Sequence, residues 1–362
     1  MTKKNIKLFD PWTDKSEEKA VIKVLKSHFW ASGSGQGDVK KFEDRFRKFT
    51  GCKEAVAVNS GTAALNLALS SYDLKNKEVI LPSFSFVSTA HTVILNGAKP
   101  VFADIESETL CIDPKQIEKL ITKKTKAIVP VHFGGQSADI KEIKKICKKY
   151  NLYLIEDAAH ATGTSFNGRK IGSHGDIVCF SFHPVKNLAM PTGGLLAINS
   201  REHKRISNEL KVKRWCGITN RKESDYDIEN IGWNYYMNEF SAAIGLQQIK
   251  KLAKSIKIKQ NIAKQYVEKI NLNEKMNFDT NCSYHLYWIR VKNREKFRDK
   301  MQNEGIETGT HYKPIHTFSM YKQKKRLSNT EKIAKEIVTI PIHVNLSNEE
   351  INRIIRSVNK YS

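Results

Sequence analysis

A chain of 362 residues with 40% hydrophobic and 27% charged side chains is too apolar for disorder and long enough for two domains. Against 38 Asp and Glu stand 61 Lys and Arg, a net charge of +23; the lysines are spread along helical faces, so the charge reads as a solvated surface that can steer an anionic substrate, with no nucleic acid as partner. No apolar run approaches about 18 residues, and Met1 to Lys7 lacks the apolar stretch of a signal peptide, so no membrane association and a cytoplasmic location are expected. Cys52, Cys111, Cys147, Cys179, Cys216 and Cys282 are scattered singly with no His cluster at zinc spacing, which predicts buried free thiols and no metal.

In chain order, Val56 to Val58 reads as a strand, Asn59 to Gly61 as a glycine turn, and Gly61 and Thr62 as a helix start. Strands follow at Glu78 to Leu81, Pro100 to Ala103, Lys126 to Val131 and Tyr153 to Glu156, with helices at Ser85 to Leu95 and Asp139 to Tyr150. Ile177 to Phe182 and Leu195 to Ile198 add two strands without a long helix between them. This alternation predicts an α/β fold with a mostly parallel sheet covered by helices, whose sites gather at the carboxyl ends of strands. Gly33-Ser-Gly-Gln-Gly37 lacks a preceding strand and the full dinucleotide spacing, and is set aside.

After Gly245 the pattern changes. A long lysine-rich helix carries Ile249, Leu252, Ile256, Ile262, Tyr266 and Ile270 as an apolar stripe. A strand from Tyr284 to Val291 and helices from Arg294 to Glu304 and Asn348 to Asn359 complete a smaller C-terminal α+β domain, giving domains 1–250 and 251–362.

Three features carry chemistry. Lys186 follows the apolar run Ile177 to Phe180 and precedes Gly193-Gly194; Asp157 ends the apolar strand that begins at Tyr153; Gly61 and Thr62 open a helix. Pyridoxal phosphate needs this set: an amine to hold its aldehyde as a Schiff base, a buried carboxylate to keep its ring nitrogen protonated, and helix-terminal amides for its phosphate. Taken singly, the Lys reads as a solvated loop residue, the Asp as a helix cap, and Asn-Ser-Gly-Thr as a turn. Their order and spacing on a βαβ background favour the joint reading.

The phrases Asn59-Ser-Gly-Thr-Ala-Ala-Leu65, Leu81-Pro-Ser-Phe-Ser-Phe-Val87, Glu156-Asp-Ala-Ala-His160 and Ser181-Phe-His-Pro-Val-Lys186, with Gly232-Trp-Asn-Tyr, Ala242-Ala-Ile-Gly245 and Gly305 to Tyr312, resemble the DegT/StrS-type sugar aminotransferases over residues 7 to 355. The resemblance implies the aspartate-aminotransferase architecture (fold type I for this cofactor) and a homodimer with sites at the subunit interface. It implies that Lys186 binds the cofactor and shuttles a proton from the donor's α-carbon. Phe86 would stack on the ring, otherwise being a core residue. His160 would bond the ring oxygen or the pocket beside it, otherwise being structural. Ser181 would bind phosphate, and Asn234 would reach the partner's phosphate or else only cap the following helix. His28 and Trp30 would line one wall of a sugar pocket, and His311, Tyr312 and His316 the other.

The implied reaction moves an amino group from L-glutamate to a keto, 4-keto-6-deoxy type, nucleotide-linked sugar for cell-surface polysaccharide or glycan biosynthesis. Alternatives are a pyridoxamine-phosphate-dependent sugar dehydratase, which carries His in place of the Lys, and a non-catalytic or regulatory protein of the same fold. Two departures touch substrate rather than reaction: Thr192 stands where the family usually has Glu, and Tyr236 where it has Arg.

Overall fold

The computed structural model describes residues 5–323 and 326–362. Seven strands form the central sheet: β1 (Glu54–Val58), β2 (Glu78–Pro82), β3 (Lys99–Ala103), β4 (Thr125–Ile128), β5 (Tyr153–Asp157), β6 (Ile177–Ser181) and β7 (Gly194–Ile198). Their order is β1-β7-β6-β5-β4-β2-β3. Only β7 runs antiparallel to its neighbours. β6 and β7 are buried along their whole length, as expected of strands covered on both faces.

The reversed strand places the site. Because β7 runs the other way, its first residue, Gly194, pairs with the last residue of β1, Val58, on one side and the last residue of β6, Ser181, on the other. A Cβ at Gly194 would meet the Ser60 carbonyl at 2.2 Å. Only glycine lets the turn after β1 close over this edge.

Helices α1 (Lys15–Ser27), α2 (Gly37–Thr50), α3 (Gly61–Leu69), α4 (Ser88–Leu95), α5 (Ile140–Tyr150), α6 (Glu239–Lys269), α7 (Arg294–Asn303) and α8 (Asn348–Tyr361) include those that cover the sheet and build the C-terminal part. α3 is buried from Ala63 to Leu69, which its apolar sequence allows. α5 is amphipathic and buries Ile140, Ile143, Ile146 and Cys147, with Asp139 as its N-cap. α4 begins three residues later than the sequence predicts. The preceding turn is closed instead by the Thr89 amide on the Phe86 carbonyl.

β4 stops at Ile128; beyond it Pro130, which has no N–H, accepts from the Asp157 amide. Two C-terminal strands, β8 (Tyr287–Arg290) and β9 (Ile337–Ile340), pair antiparallel with each other. β8 is shorter than the predicted Tyr284 to Val291 because Tyr284 adopts a left-handed φ of 47°. Residue 250 falls inside α6, whose predicted stripe is buried except for half-buried Ile256. Among the lysines that this reading turns to solvent, Lys259 instead faces inward and is only 6% exposed. Five cysteines are buried free thiols, whereas Cys216 is exposed.

Candidate active site

A cavity of about 430 Å³ opens where β1, β5 and β6 end. It is lined by Gly61, Thr62, Phe86, Asp157, His160, Ser181, Lys186, His311 and Tyr312 together with Phe9, Ser85, His183 and Thr192. Nine of the residues singled out in the sequence therefore meet in one place, drawn from segments up to 251 residues apart.

The helix end comes first. Ser60 caps α3, its hydroxyl accepting from the Ala63 amide and its carbonyl from the Ala64 amide. The amides of Gly61 and Thr62 have no acceptor among the described residues and lie at the positive end of the helix dipole. Ser181 stands beside them: a Cβ on Gly61 would meet Ser181 Cβ at 2.7 Å. An anion fits here.

Asp157, the last residue of β5, is buried and held at both oxygens. Thr89 Oγ1 donates to Oδ2 at 2.8 Å, and the Ala159 amide to Oδ1 at 3.1 Å. Ser85 Oγ stands 2.9 Å from Thr89 Oγ1, so Ser85 donates to Thr89 and Thr89 to the carboxylate. Burial raises the carboxyl above its ordinary range; these two hydrogen bonds and the charge of Lys186 oppose the rise. A buried carboxylate held in this way can pair with a cationic ring nitrogen.

Lys186 closes the opposite side. Its amine is lowered to about 8 by burial, against which the Asp157 charge acts. Its Nζ lies 3.4 Å from His285 Nε2. Around it the imidazoles of His160, His183, His285 and His311 are all pushed toward the neutral form by burial first and by the Lys186 charge next, His311 to about 4. His160 Nδ1 accepts from the Gly134 amide at 3.3 Å, so its proton sits on Nε2, which donates to Tyr312 Oη at 3.1 Å. His311 Nδ1 lies 2.8 Å from Thr339 Oγ1. Phe86 is 56% exposed and faces the cavity, so it is no core residue; its ring is free to stack on a planar ligand.

Four residues singled out in the sequence are not brought to this cavity within one chain. His28 is exposed at the C-cap of α1, and Trp30 is exposed beside Phe240. Asn234 is exposed; its carbonyl accepts from Asn59 Nδ2, and the cap of α6 is Asn238 instead. His316 is buried behind the cavity, with Nδ1 2.6 Å from Ser83 Oγ. Conversely, Phe9, Ser85, Thr89 and His285 were not singled out. Ser85 lies within the quoted phrase Leu81 to Val87 but was given no role there; no local motif marks the other three, and His285 enters through packing across 99 residues of chain.

Among the described residues no group of three or more His, Cys, Asp or Glu could hold a metal ion, and no helix is long and apolar enough to cross a membrane.

The fold is that of the pyridoxal-phosphate-dependent sugar aminotransferases of fold type I. Residues 11–359 match the DegT/DnrJ/EryC1/StrS aminotransferase family, and the chain belongs to it. GDP-perosamine synthase of Vibrio cholerae is 32% identical, with 98% of this chain and 99% of that protein aligned. Among solved structures, PseC of Helicobacter pylori, an aminotransferase involved in the biosynthesis of pseudoaminic acid, superposes with a TM-score of 0.93 at 29% identity over 99% of both chains. The putative sugar aminotransferase Spr1654 of Streptococcus pneumoniae, in its pyridoxamine-phosphate form, gives 0.93 at 26% identity over 99% and 97%; a pyridoxal-phosphate form of it is also known.

Proposed function

We propose that this aminotransferase moves an amino group from L-glutamate to a 4-keto-6-deoxy sugar carried on a nucleotide, for cell-surface polysaccharide or glycan biosynthesis. The observation that carries the reading is the meeting of Lys186, Asp157 and the open amides of Gly61 and Thr62 around one cavity. That set fits the cofactor, and the names of relatives that make GDP-perosamine and act toward pseudoaminic acid support the sugar class.

Bound there, the cofactor supplies the aldehyde that carries the amino group and a protonated ring that draws electrons from the breaking bond. The chain does the rest. The amides of Gly61 and Thr62 and the Ser181 hydroxyl hold the phosphate. Asp157, fixed by Thr89 and the Ala159 amide, keeps a proton on the ring nitrogen. Phe86 covers one ring face, and His160 holds the ring oxygen or the pocket beside it. Lys186 anchors the cofactor and, once released, holds and passes a proton at Nζ, which its lowered basicity favours near neutral pH. His311 and Tyr312 face the sugar.

The assembly read with this function is a homodimer in which a second copy brings His28, Trp30 and Asn234 to the site. Their exposure on the single chain, beside the exposed apolar residues Ile22, Leu25 and Phe29, supports it. A division at residue 250 belongs to the same reading, supported by the separate pairing of β8 with β9.

The test is incubation of the purified protein with L-glutamate and a panel of 4-keto-6-deoxy sugars on UDP, GDP or dTDP, read by mass spectrometry. One amino-sugar product with matching 2-oxoglutarate is expected. Loss of the cofactor's visible absorbance with glutamate but no product from any sugar would refute the sugar assignment.

A further inference from the structure

His285 is 2% exposed and lies between two rings. Phe9 stacks on it at 5.7 Å between centroids and 18° between planes, and His160 leans against it at 4.4 Å. This packing fixes the imidazole plane and leaves Nε2 3.4 Å from Lys186 Nζ. The other nitrogen, Nδ1, has no hydrogen-bond partner among the described residues.

We infer that His285 is a positioning residue for the reactive amine: its Nε2 accepts a hydrogen bond from Lys186 Nζ and holds the ammonium form so that the remaining N–H bonds face the cavity. The inference rests on the reading of Lys186 given above.

An amine that shuttles a proton is an ammonium for part of each cycle, in a place where burial disfavours charge. It needs an acceptor that stabilises the charge without removing the proton. A strong base would trap the proton. His285 is a weak one, because burial, and then the charges at Lys186, His160, Lys259 and His311, lower its basicity well below the ordinary imidazole value. The groups that face Lys186 are the carboxylate of Asp157 and the imidazoles of His160, His183, His285 and His311. Of these, His285 has the ring nitrogen within hydrogen-bond distance of Nζ. The proton count is simple: Nζ gains one proton and later gives it up, while His285 keeps its single proton on Nδ1 throughout.

The test uses cofactor-free protein, so it needs no turnover. Lys186 is labelled competitively with acetic anhydride across a pH series and quantified by peptide mass spectrometry, in wild type, His285→Gln and His285→Asn. A glutamine amide reaches the place of Nε2, whereas an asparagine amide reaches only that of Nδ1. In His285→Asn the ammonium loses its acceptor, so the labelling midpoint should fall by about one pH unit. His285→Gln should stay near wild type. An unshifted Asn variant, or equal shifts in both, overturns the inference.

Should a substitution prevent folding, 15N NMR of histidine-labelled wild-type protein decides independently. Nδ1–H with a bare Nε2 supports the assignment, and Nε2–H overturns it. Failure of the Lys186 reading itself has a different signature, namely turnover that survives Lys186→Ala.

Discussion

Lys259 Nζ donates a 2.8 Å hydrogen bond to Asn187 Oδ1, so a buried lysine of α6 holds the residue next to Lys186. Asn187 passes the link on, its Nδ2 donating to the Ser283 carbonyl at 2.9 Å. One inward cation thus joins α6, the Lys186 loop and the segment that carries His285.

Burial lowers the Lys259 amine from 10.5 to about 8. Below about pH 8 the folded and unfolded states both hold this proton, and the cost of burying the charge is fully present. Between that point and 10.5 the unfolded chain holds more of it, so stability linked to this group rises with pH. Relative to Lys259→Met, wild type should gain up to about 1.4 kcal/mol of unfolding free energy per pH unit across the window. Urea unfolding of both proteins at several pH values measures it, and a constant difference would mean that Lys259 keeps its ordinary proton affinity.

Lys186→Ala should abolish amino transfer and leave far-UV circular dichroism unchanged, since the anchor and the proton carrier are one amine. Borohydride should then fix no cofactor to the chain. Covalent fixation in the variant would move the anchor to another lysine.

Asp157→Asn should still bind cofactor but turn over at least about a hundredfold more slowly, because an amide cannot hold the ring nitrogen protonated. Thr89→Val tests the same group from behind. Loss of one hydrogen bond to a charged acceptor is worth about 1.5–3 kcal/mol, or roughly ten- to a hundredfold in rate. Wild-type rates in both variants would remove the carboxylate from the reaction.

Gly61→Ala drives a methyl group against Ser181, at 2.7 Å between the two Cβ atoms. If overpacking of about 1–3 kcal/mol falls on the bound state, cofactor binding should weaken roughly five- to 150-fold, with a smaller effect on turnover at saturation. Titration of the cofactor-free variant gives the dissociation constant, and an unchanged value would place the phosphate elsewhere.

Strand order along the chain was legible because each strand is a short apolar run closed by turn residues, as at Tyr153 to Asp157. Asp157 and the Gly61 turn were legible because each stands at the end of such a run, and Lys186 because it sits in the loop between one run and the glycine pair Gly193-Gly194. The reversed direction of β7 was not, since a buried strand reads alike both ways. Lys259 was hidden among the many lysines of its helix; only packing turns one of them inward. His285 and Thr89 act through contacts across long stretches of chain, which periodicity does not encode.

Assembly gives the last prediction. Asn234 is exposed, and its backbone carbonyl already serves Asn59 of its own chain. If its side chain completes the phosphate site of a second copy, each site exists only in the dimer, and cofactor should favour the dimer by mass action. Mixing inactive Lys186→Ala with inactive Asn234→Ala protein should then restore activity, because in a mixed dimer one site carries both intact residues. Random reassortment makes about half of the dimers mixed, and in each of these one of two sites works, so recovery should approach about a quarter of wild type. Should subunit exchange be verified and activity stay near zero, Asn234 serves its own chain's site or none.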